Sequence, residues 1–409
     1  MIYTLALHLY AFCIECAAIF NRKARMMCLG QWKTNTILRE NIILNAKYIW
    51  FHAASLGEFE QGRPMIEKIK MLYPQYKILL SFFSPSGYEV RKNYSMADVV
   101  CYLPFDTPFR VRKYIDLANP AIAIFIKYEF WNNYLRELKK RHVPTYSISA
   151  IFRREQWFFK WYGFFFVRIL KCFDHLFVQD TSSVDLLAKY GIASATVVGD
   201  TRFDRVNDVR KQTRPIGIIE SFIKAQSDQY CLIAGSSWPK DEKIFIQYFN
   251  QRPKIKLIIA PHEINDNHLF YIHSLLKRPS IRLSEADEHN IDDKDCLIID
   301  CVGMLSSIYC YGDIAYLGGG FDKGIHNILE AAVYGLPVIF GPRFFKYKEA
   351  KELIAVSGAF SVRDEQTFTD CIDKLVANSL FLNMSGQAAA AFVERNIGAT
   401  GRILRIILS

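Results

Sequence analysis

Glu58 stands where a short apolar run meets a tight turn. The run Tyr48-Ile49-Trp50-Phe51-His52-Ala53 reads as a buried strand, and Ala54-Ser55-Leu56-Gly57 as a small-residue turn opening a helix. Open α/β sheets place ligands at the carboxyl ends of their strands, so a carboxylate there is placed to take a proton from a substrate hydroxyl. The same acid also suits the first turn of a helix, where it answers the positive end of the dipole. Residue type alone leaves both readings open. A second acid, Glu129, lies in Lys127-Tyr128-Glu129-Phe130-Trp131-Asn132 after another apolar run, with Lys127 as a cation beside it. Its plain alternative is a salt-bridged structural acid.

The second half carries a different kind of chemistry. Leu317-Gly318-Gly319-Gly320 is followed by Gly324-Ile325-His326-Asn327-Ile328-Leu329-Glu330. The spacing predicts a strand, a glycine-rich turn and a helix opening near His326, with backbone N–H groups free to hold phosphate or carboxylate. Glu330, one turn on, would accept from ribose hydroxyls, which makes this a nucleotide-sugar site. Three more strand-end loops are expected on the same sheet edge: Ser236-Ser237-Trp238-Pro239, Ala260-Pro261-His262-Glu263, and Gly341-Pro342-Arg343 with its cation. Each alone is also ordinary loop chemistry.

These groups need two sheets to position them. Strands are expected at residues 48–53, 76–84, 99–103, 121–126, 145–149, 175–178 and 195–198, with helices between. Residues 205–216 are polar, contain Pro215 and read as a linker. The alternation restarts at 230–234, 256–260, 296–300, 313–317 and 337–340. Short apolar runs alternating with amphipathic segments imply parallel sheets covered on both faces. At 409 residues, two doubly wound α/β domains are expected. Their boundaries are set at 1–25, 26–210, 211–385 and 386–409, the last a helix packing back on the N-terminal domain.

The net charge of +10 points to anionic partners, but the basic residues are dispersed and no zinc-finger or RNA-binding motif is present, so nucleic acid is not expected. The ten cysteines sit in apolar segments, as reduced core cysteines do. Residues 1–20 are almost wholly apolar, broken by His8 and Glu15, and are followed at once by Asn21-Arg22-Lys23-Ala24-Arg25. That polarity is the reverse of a cleaved signal peptide and would keep the basic side in the cytoplasm. Residues 1–25 are therefore expected to be a membrane anchor, spanning or lying in the interface, with a buried soluble helix as the alternative. Trp157-Phe158-Phe159-Lys160-Trp161, continuing through Phe164-Phe165-Phe166-Val167-Arg168, mixes rings with cations and reads either as a membrane-facing patch or as a core helix.

Taken together, His52-Ala53-Ala54-Ser55-Leu56-Gly57-Glu58, Tyr128-Glu129-Phe130-Trp131-Asn132, Val198-Gly199-Asp200-Thr201-Arg202-Phe203-Asp204, Ala260-Pro261-His262, and His326-Asn327-Ile328-Leu329-Glu330 with Gly341-Pro342 resemble the bacterial 3-deoxy-D-manno-octulosonate (Kdo) transferases. The resemblance implies a GT-B fold, two Rossmann-like domains facing across a cleft. It implies inverting, metal-independent transfer of Kdo from CMP-Kdo to a lipid A precursor (lipid IVA) at the cytoplasmic face of the inner membrane, with no cofactor. Glu58 aligns with the family's general base, and Glu129 is its second catalytic acid. The donor site implied is Ser236, Ser237, Pro261, His262, Gly319, Gly320, His326, Asn327, Glu330 and Arg343. Ser55, Gly57, Lys127 and Arg202 would meet the acceptor or Kdo. The chain departs from the family at Lys127, often an acid, at Asn132, commonly Pro, and at His262-Glu263, where Arg-His is usual. Arg343 or Lys346 is expected to replace the missing arginine. A sugar-nucleotide epimerase on the same fold is the competing reading.

Overall fold

The chain folds around two seven-stranded parallel sheets. The computed structural model describes residues 2–161, 163–224 and 229–408, and the chain divides into Met1–Arg205 with Gly398–Ser409, and Val206–Ile397. The first sheet holds β1 (Lys47–Ala53), β2 (Tyr76–Phe82), β3 (Val99–Tyr102), β4 (Pro120–Ile126), β5 (Thr145–Ala150), β6 (His175–Val178) and β7 (Ala195–Val197). Their order is β3-β2-β1-β4-β5-β6-β7. The second holds β8 (Tyr230–Ser237), β9 (Ile255–Pro261), β10 (Ser280–Arg282), β11 (Cys296–Ile298), β12 (Ile314–Leu317), β13 (Val338–Phe340) and β14 (Ala359–Ser361), ordered β10-β11-β9-β8-β12-β13-β14. In each sheet the chain leaves the centre first one way, then the other. The reversal falls between β1 and β4 in one sheet and between β8 and β12 in the other. A doubly wound sheet opens its ligand crevice at that point.

β1 shows why these runs form central strands. From Tyr48 to Ala53 every residue is buried, so both faces are covered and the apolar run is continuous rather than alternating. Trp50 is enclosed by Tyr114, Phe125 and Tyr134 at ring-centroid distances of 5.1, 5.2 and 5.7 Å. The helix Leu56–Leu72 lies close on the sheet because Gly62 lets it: a Cβ there would come within 2.3 Å of Ile126 Cδ1.

Three expectations change. Residues 205–216 are not a loose linker. The helix Thr201–Gln212 carries the chain across the boundary between units, since it contains neither Gly nor Pro, and helical order stops only ahead of Pro215. β10 and β14 are three-residue strands too short to leave a periodic signal. The C-terminal stretch divides: Ser379–Asn396 lies in the second unit, while Ala399–Ile407 lies in the first. Asp204 joins that last helix by accepting from Gly398 N–H (2.5 Å) and Thr400 N–H (2.6 Å).

At the N-terminus the helices Ile2–Ala17 and Arg22–Asn41 carry the apolar run and the basic residues after it. Among the described residues no single helix is long and apolar enough to cross a membrane, although Tyr3–Ala17 and Arg22–Asn41, bent by 118°, pass that test as a pair. The first helix is tied to its own unit. Tyr3 donates to Asp106 (2.7 Å), and Glu15, the acid that interrupts the apolar run, pairs with Arg110 at 3.0 Å. Arg25 donates to the carbonyls of Ala18 and Ile19, serving the helix end it follows. Leu5, Leu9, Phe12, Ile19 and Phe20 remain exposed.

Candidate functional site

Both acids picked from the sequence stand at the reversal point of the first sheet, Glu58 after β1 and Glu129 after β4. Ser55 is the N-cap of the helix Leu56–Leu72, but its hydroxyl makes no bond to the helix backbone. It donates instead to the Glu58 carboxylate. Lys127 Nζ lies 4.0 Å from the other Glu58 oxygen. Glu58 is thus held by side chains, not spent on capping. Gly57 is not demanded by packing, because a Cβ there would meet nothing nearer than Ser55 Oγ at 3.8 Å. Lys127 takes φ +62°, a left-handed conformation a non-glycine residue adopts at a cost of about 1–3 kcal/mol, and such strain collects at ligand sites.

Glu129 is fixed more firmly. Its Oε2 receives His52 Nε2–H at 3.1 Å and Trp131 Nε1–H at 2.8 Å. A carboxylate only accepts, so His52 carries its proton on Nε2 and its Nδ1 accepts from Ser81 Oγ at 2.9 Å. Ser81 Oγ in turn accepts from Trp50 Nε1–H at 2.7 Å. Trp50, Ser81 and His52 are all buried, so a chain of hydrogen bonds with a consistent direction runs through the sheet to one oxygen of Glu129. Its ion-pair partner, when that ring is protonated, is His52. His52 was visible in the motif but not its role, which needs β2 and β4 beside β1. Arg202 is turned to its neighbour, with Nε and Nη2 at 2.8 and 2.6 Å from Asp200 Oδ2.

The reversal point of the second sheet presents rings. Trp238, following β8, stacks on His262 (centroids 4.6 Å, 25°), and His262 stacks on His326 (4.5 Å, 26°). Trp238 Nε1–H donates to His326 Nε2 at 3.2 Å, which leaves the histidine proton on Nδ1. Burial, helped by His262, pushes His326 down to about 4, and burial also lowers His262. Both imidazoles are neutral at pH 7. Lys323 Nζ lies 4.2 Å from the Trp238 ring centroid, a cation beside the stack.

Several expectations for this half are corrected. The helix opens at Leu329, not near His326, and is four residues long. Asn327 precedes it, accepting from Leu329 N–H (3.4 Å) and donating to Glu330 Oε1 (3.0 Å), so these two residues do meet. The glycine run is not a free phosphate cradle. Gly318 N–H donates to Gly235 O (3.0 Å) and Gly319 N–H to Asp241 Oδ2 (2.8 Å). Glycine is required here by close approach: a Cβ on Gly320 would lie 2.5 Å from Gly341 N. Ser237 is fully buried and its hydroxyl is committed to Glu242 at 2.8 Å. Ser236, at φ +51°, turns the strand end, and Pro261 closes β9. The Arg343 guanidinium donates to the carbonyl of Asp322 in the glycine loop, so Lys323, not Arg343, is the cation beside the rings. Trp238 and Lys323 were missed. An aromatic between Ser-Ser and Pro at a strand end was their one signal.

Among the described residues no group of three or more His, Cys, Asp or Glu is gathered as a metal site. Residues 23–205 match the family described as 3-deoxy-D-manno-octulosonic-acid transferase (kdotransferase). The chain is 28% identical over 335 residues to a 3-deoxy-D-manno-octulosonic acid transferase of Aquifex aeolicus, covering 80% of this chain and 84% of that protein. Against the Haemophilus influenzae protein of the same name it is 24% identical over 374 residues, covering 88% and 86%. Among solved structures, the UDP-GlcNAc 2-epimerase of Neisseria meningitidis superposes with a TM-score of 0.62 at 14% identity, over 88% of this chain and 99% of that one. That likeness is one of fold: two parallel-sheet α/β units of the GT-B type. With relatives matched across most of its length, and the acids and histidines of its motifs gathered at strand ends of the two sheets, the chain is similar to the 3-deoxy-D-manno-octulosonic acid transferases.

Proposed function

We propose that the protein transfers Kdo from CMP-Kdo to a lipid A precursor, lipid IVA, with inversion and without a metal ion, at the cytoplasmic face of the inner membrane. The observation that carries this reading is the pair of carboxylates at the β1/β4 reversal point, one of them left to side-chain partners rather than to the helix end it occupies. Glu58 takes the proton of the acceptor hydroxyl as that oxygen forms its bond to the anomeric carbon. The bond from that carbon to the CMP phosphate breaks, and its electron pair leaves on the phosphate oxygen. An inverting glycosidase divides the work in the same way, with water in place of the sugar hydroxyl. Glu129 keeps one oxygen clamped by His52 and Trp131, which fixes the direction of the other toward substrate.

The second unit supplies the donor site. Trp238, His262 and His326 offer a ring surface and one outward-donating imidazole N–H, and Lys323 supplies the positive charge that the family's arginine provides elsewhere. Asn327 and Glu330, joined to each other, are the partners for the ribose. Charge developing on the leaving phosphate is met by these groups already in place. The exposed apolar residues of the N-terminal helix, Leu5, Leu9 and Phe12, support attachment to a lipid surface.

The test is direct. Purified protein is incubated with CMP-Kdo and a tetraacylated lipid A precursor, with and without EDTA, and the product is weighed by mass spectrometry. Mass increments of one or more Kdo in both conditions are expected, and their number reports how many transfers occur. No increment on any acylated acceptor would remove the reading; an increment abolished by EDTA would remove its metal-independent part. Deletion of residues 1–25 should release the protein from membranes after lysis, and a native chain found wholly in the soluble fraction would refute the attachment.

A further inference from the structure

The aromatic segment after β5 is absorbed by neither half-site, and it does not form one core helix. It folds as a short 3₁₀ turn, Trp157–Phe159, followed by the helix Phe164–Leu170. Phe158 and Phe159 go inside, while Trp157 stays 46% exposed. Between these pieces and the Glu129 loop lies an open cavity of about 290 Å³, lined by Tyr128, Phe130, Gln156, Trp157, Phe158 and Phe166. That volume is at the lower end of what small-ligand sites offer. Tyr128 and Phe130 are the chain neighbours of Glu129, so the cavity adjoins the loop that carries that acid.

The lining decides the chemistry of the occupant. The Tyr128 hydroxyl is spent on the Ile151 carbonyl at 2.5 Å. Gln156 is spent at both ends: its Oε1 accepts from Arg153 N–H (2.9 Å) and its Nε2 donates to Ile151 O (3.3 Å). The walls therefore present mostly ring faces and edges, with a polar minority. The rings are braced against one another, Trp157 on Phe166 with centroids 3.8 Å apart and Phe130 on Phe158 at 5.5 Å. A sugar ring entering here would bury hydroxyls against rings, whereas a hydrocarbon chain loses nothing.

We propose that this cavity is a slot for one aliphatic acyl chain of the acceptor, seated beside Glu129 so that the acceptor hydroxyl is positioned by its own lipid. This rests on the proposed acceptor, and it commits to the acceptor's chain rather than to bulk lipid.

Two experiments test it. In the first, transfer to an acylated and to a deacylated acceptor is compared for the native chain and Trp157→Ala. The variant should raise KM for the acylated acceptor about tenfold, the scale on which an apolar pocket reads a lost contact, with KM for the deacylated acceptor and kcat unchanged. Equal changes for both acceptors would overturn the slot. So would a loss of vesicle binding with no dependence on acylation, which would assign the rings to the bilayer. The second measurement needs no turnover. Bromododecanoate is titrated into the native chain and into Trp157→Phe, which removes one of the six tryptophans. A saturable quench present in the native chain and missing from the variant supports the slot, and identical traces refute it. If the native chain transfers Kdo to no acceptor, the proposed reaction fails while the quench still decides the slot.

Discussion

The two sheets reverse direction in the same way and put opposite chemistry at the reversal. After β1 and β4 stand carboxylates, Glu58 near an ammonium and Glu129 under two N–H donors. After β8, β9 and β12 stand Trp238, His262 and His326, a stack of rings whose imidazoles burial keeps neutral. One topology thus supplies a place for a ligand without choosing its charge. The choice lies in a few residues of the loops. In the first unit an ionised group can accept a proton. In the second, neutral rings with one N–H each can hold a substrate without competing for its protons.

The sharpest way to break this contrast is to remove the charge at Glu58. Glu58→Gln should cut transfer by about a hundred- to ten-thousandfold, the worth of a positioned general base. Donor binding should persist, because the residues proposed for it lie in the other unit, and the thermal midpoint should hold, because the Ser55 and Glu58 side chains make no cap bond to the helix backbone. Transfer assays paired with calorimetric CMP titration check this. Near-native turnover would return Glu58 to a helix-end role.

Next in size is the buried chain behind Glu129. His52→Phe keeps a ring between Trp50 and Phe125, which lie 6.5 and 5.8 Å from the present imidazole, and removes both nitrogens. Glu129 then keeps Trp131 as a donor but loses the partner that sets its direction. A fall in kcat of about tenfold to a hundredfold is expected, with donor KM unchanged. Stability should drop by only about 1 kcal/mol, since the Ser81 hydroxyl can turn to the Phe51 carbonyl at 3.4 Å. A loss of stability without a loss of kcat would make the chain a packing device only.

How much of this was readable in the sequence follows from distance along the chain. Glu58 was legible because strand, turn and acid are contiguous. The His52 role was not, because Ser81 and Glu129 lie 29 and 77 residues away and meet it only once β2 and β4 flank β1. The glycine run was misread for the same reason. Its need for glycine comes from Gly341, on a neighbouring strand end, and not from a ligand. Asn132 shows a departure whose meaning appears only in the fold. A proline at this helix start would have no N–H, whereas Asn132 N–H donates to Tyr3 at 3.3 Å and so helps bind the N-terminal helix.

On the donor side the expected effect is smaller. Trp238→Phe preserves a ring beside His262 but withdraws the N–H from His326 Nε2. The imidazole is then free to exchange tautomers, and the donor meets an N–H only part of the time. Donor KM should rise about threefold to tenfold with kcat near native, the worth of one hydrogen bond. A larger fall in kcat than in affinity would place Trp238 in the transition state instead of the donor site.

The smallest effect compares the units through pH. His326 sits below its unfolded value, so its contribution to stability is present above about pH 6.5 and is lost as pH falls toward about 4. Asp106, buried beneath Tyr3 and the helix start Asn132–Tyr134, is pushed up to about 7 by burial. Its contribution is fully present below the unfolded carboxylate range and is lost as pH rises through about 7. The two groups therefore tilt their own units in opposite directions across the same window. Hydrogen exchange, corrected for intrinsic rate, reads β1 and β8 separately. Relative to the native chain, Asp106→Asn should flatten the decline of β1 protection between about pH 4 and 7, and His326→Phe should flatten the decline of β8 protection on acidification. Unchanged slopes in both variants would mean that the two buried groups titrate alike in folded and unfolded chains. In that case the contrast between a charged and a neutral reversal point would rest on geometry alone.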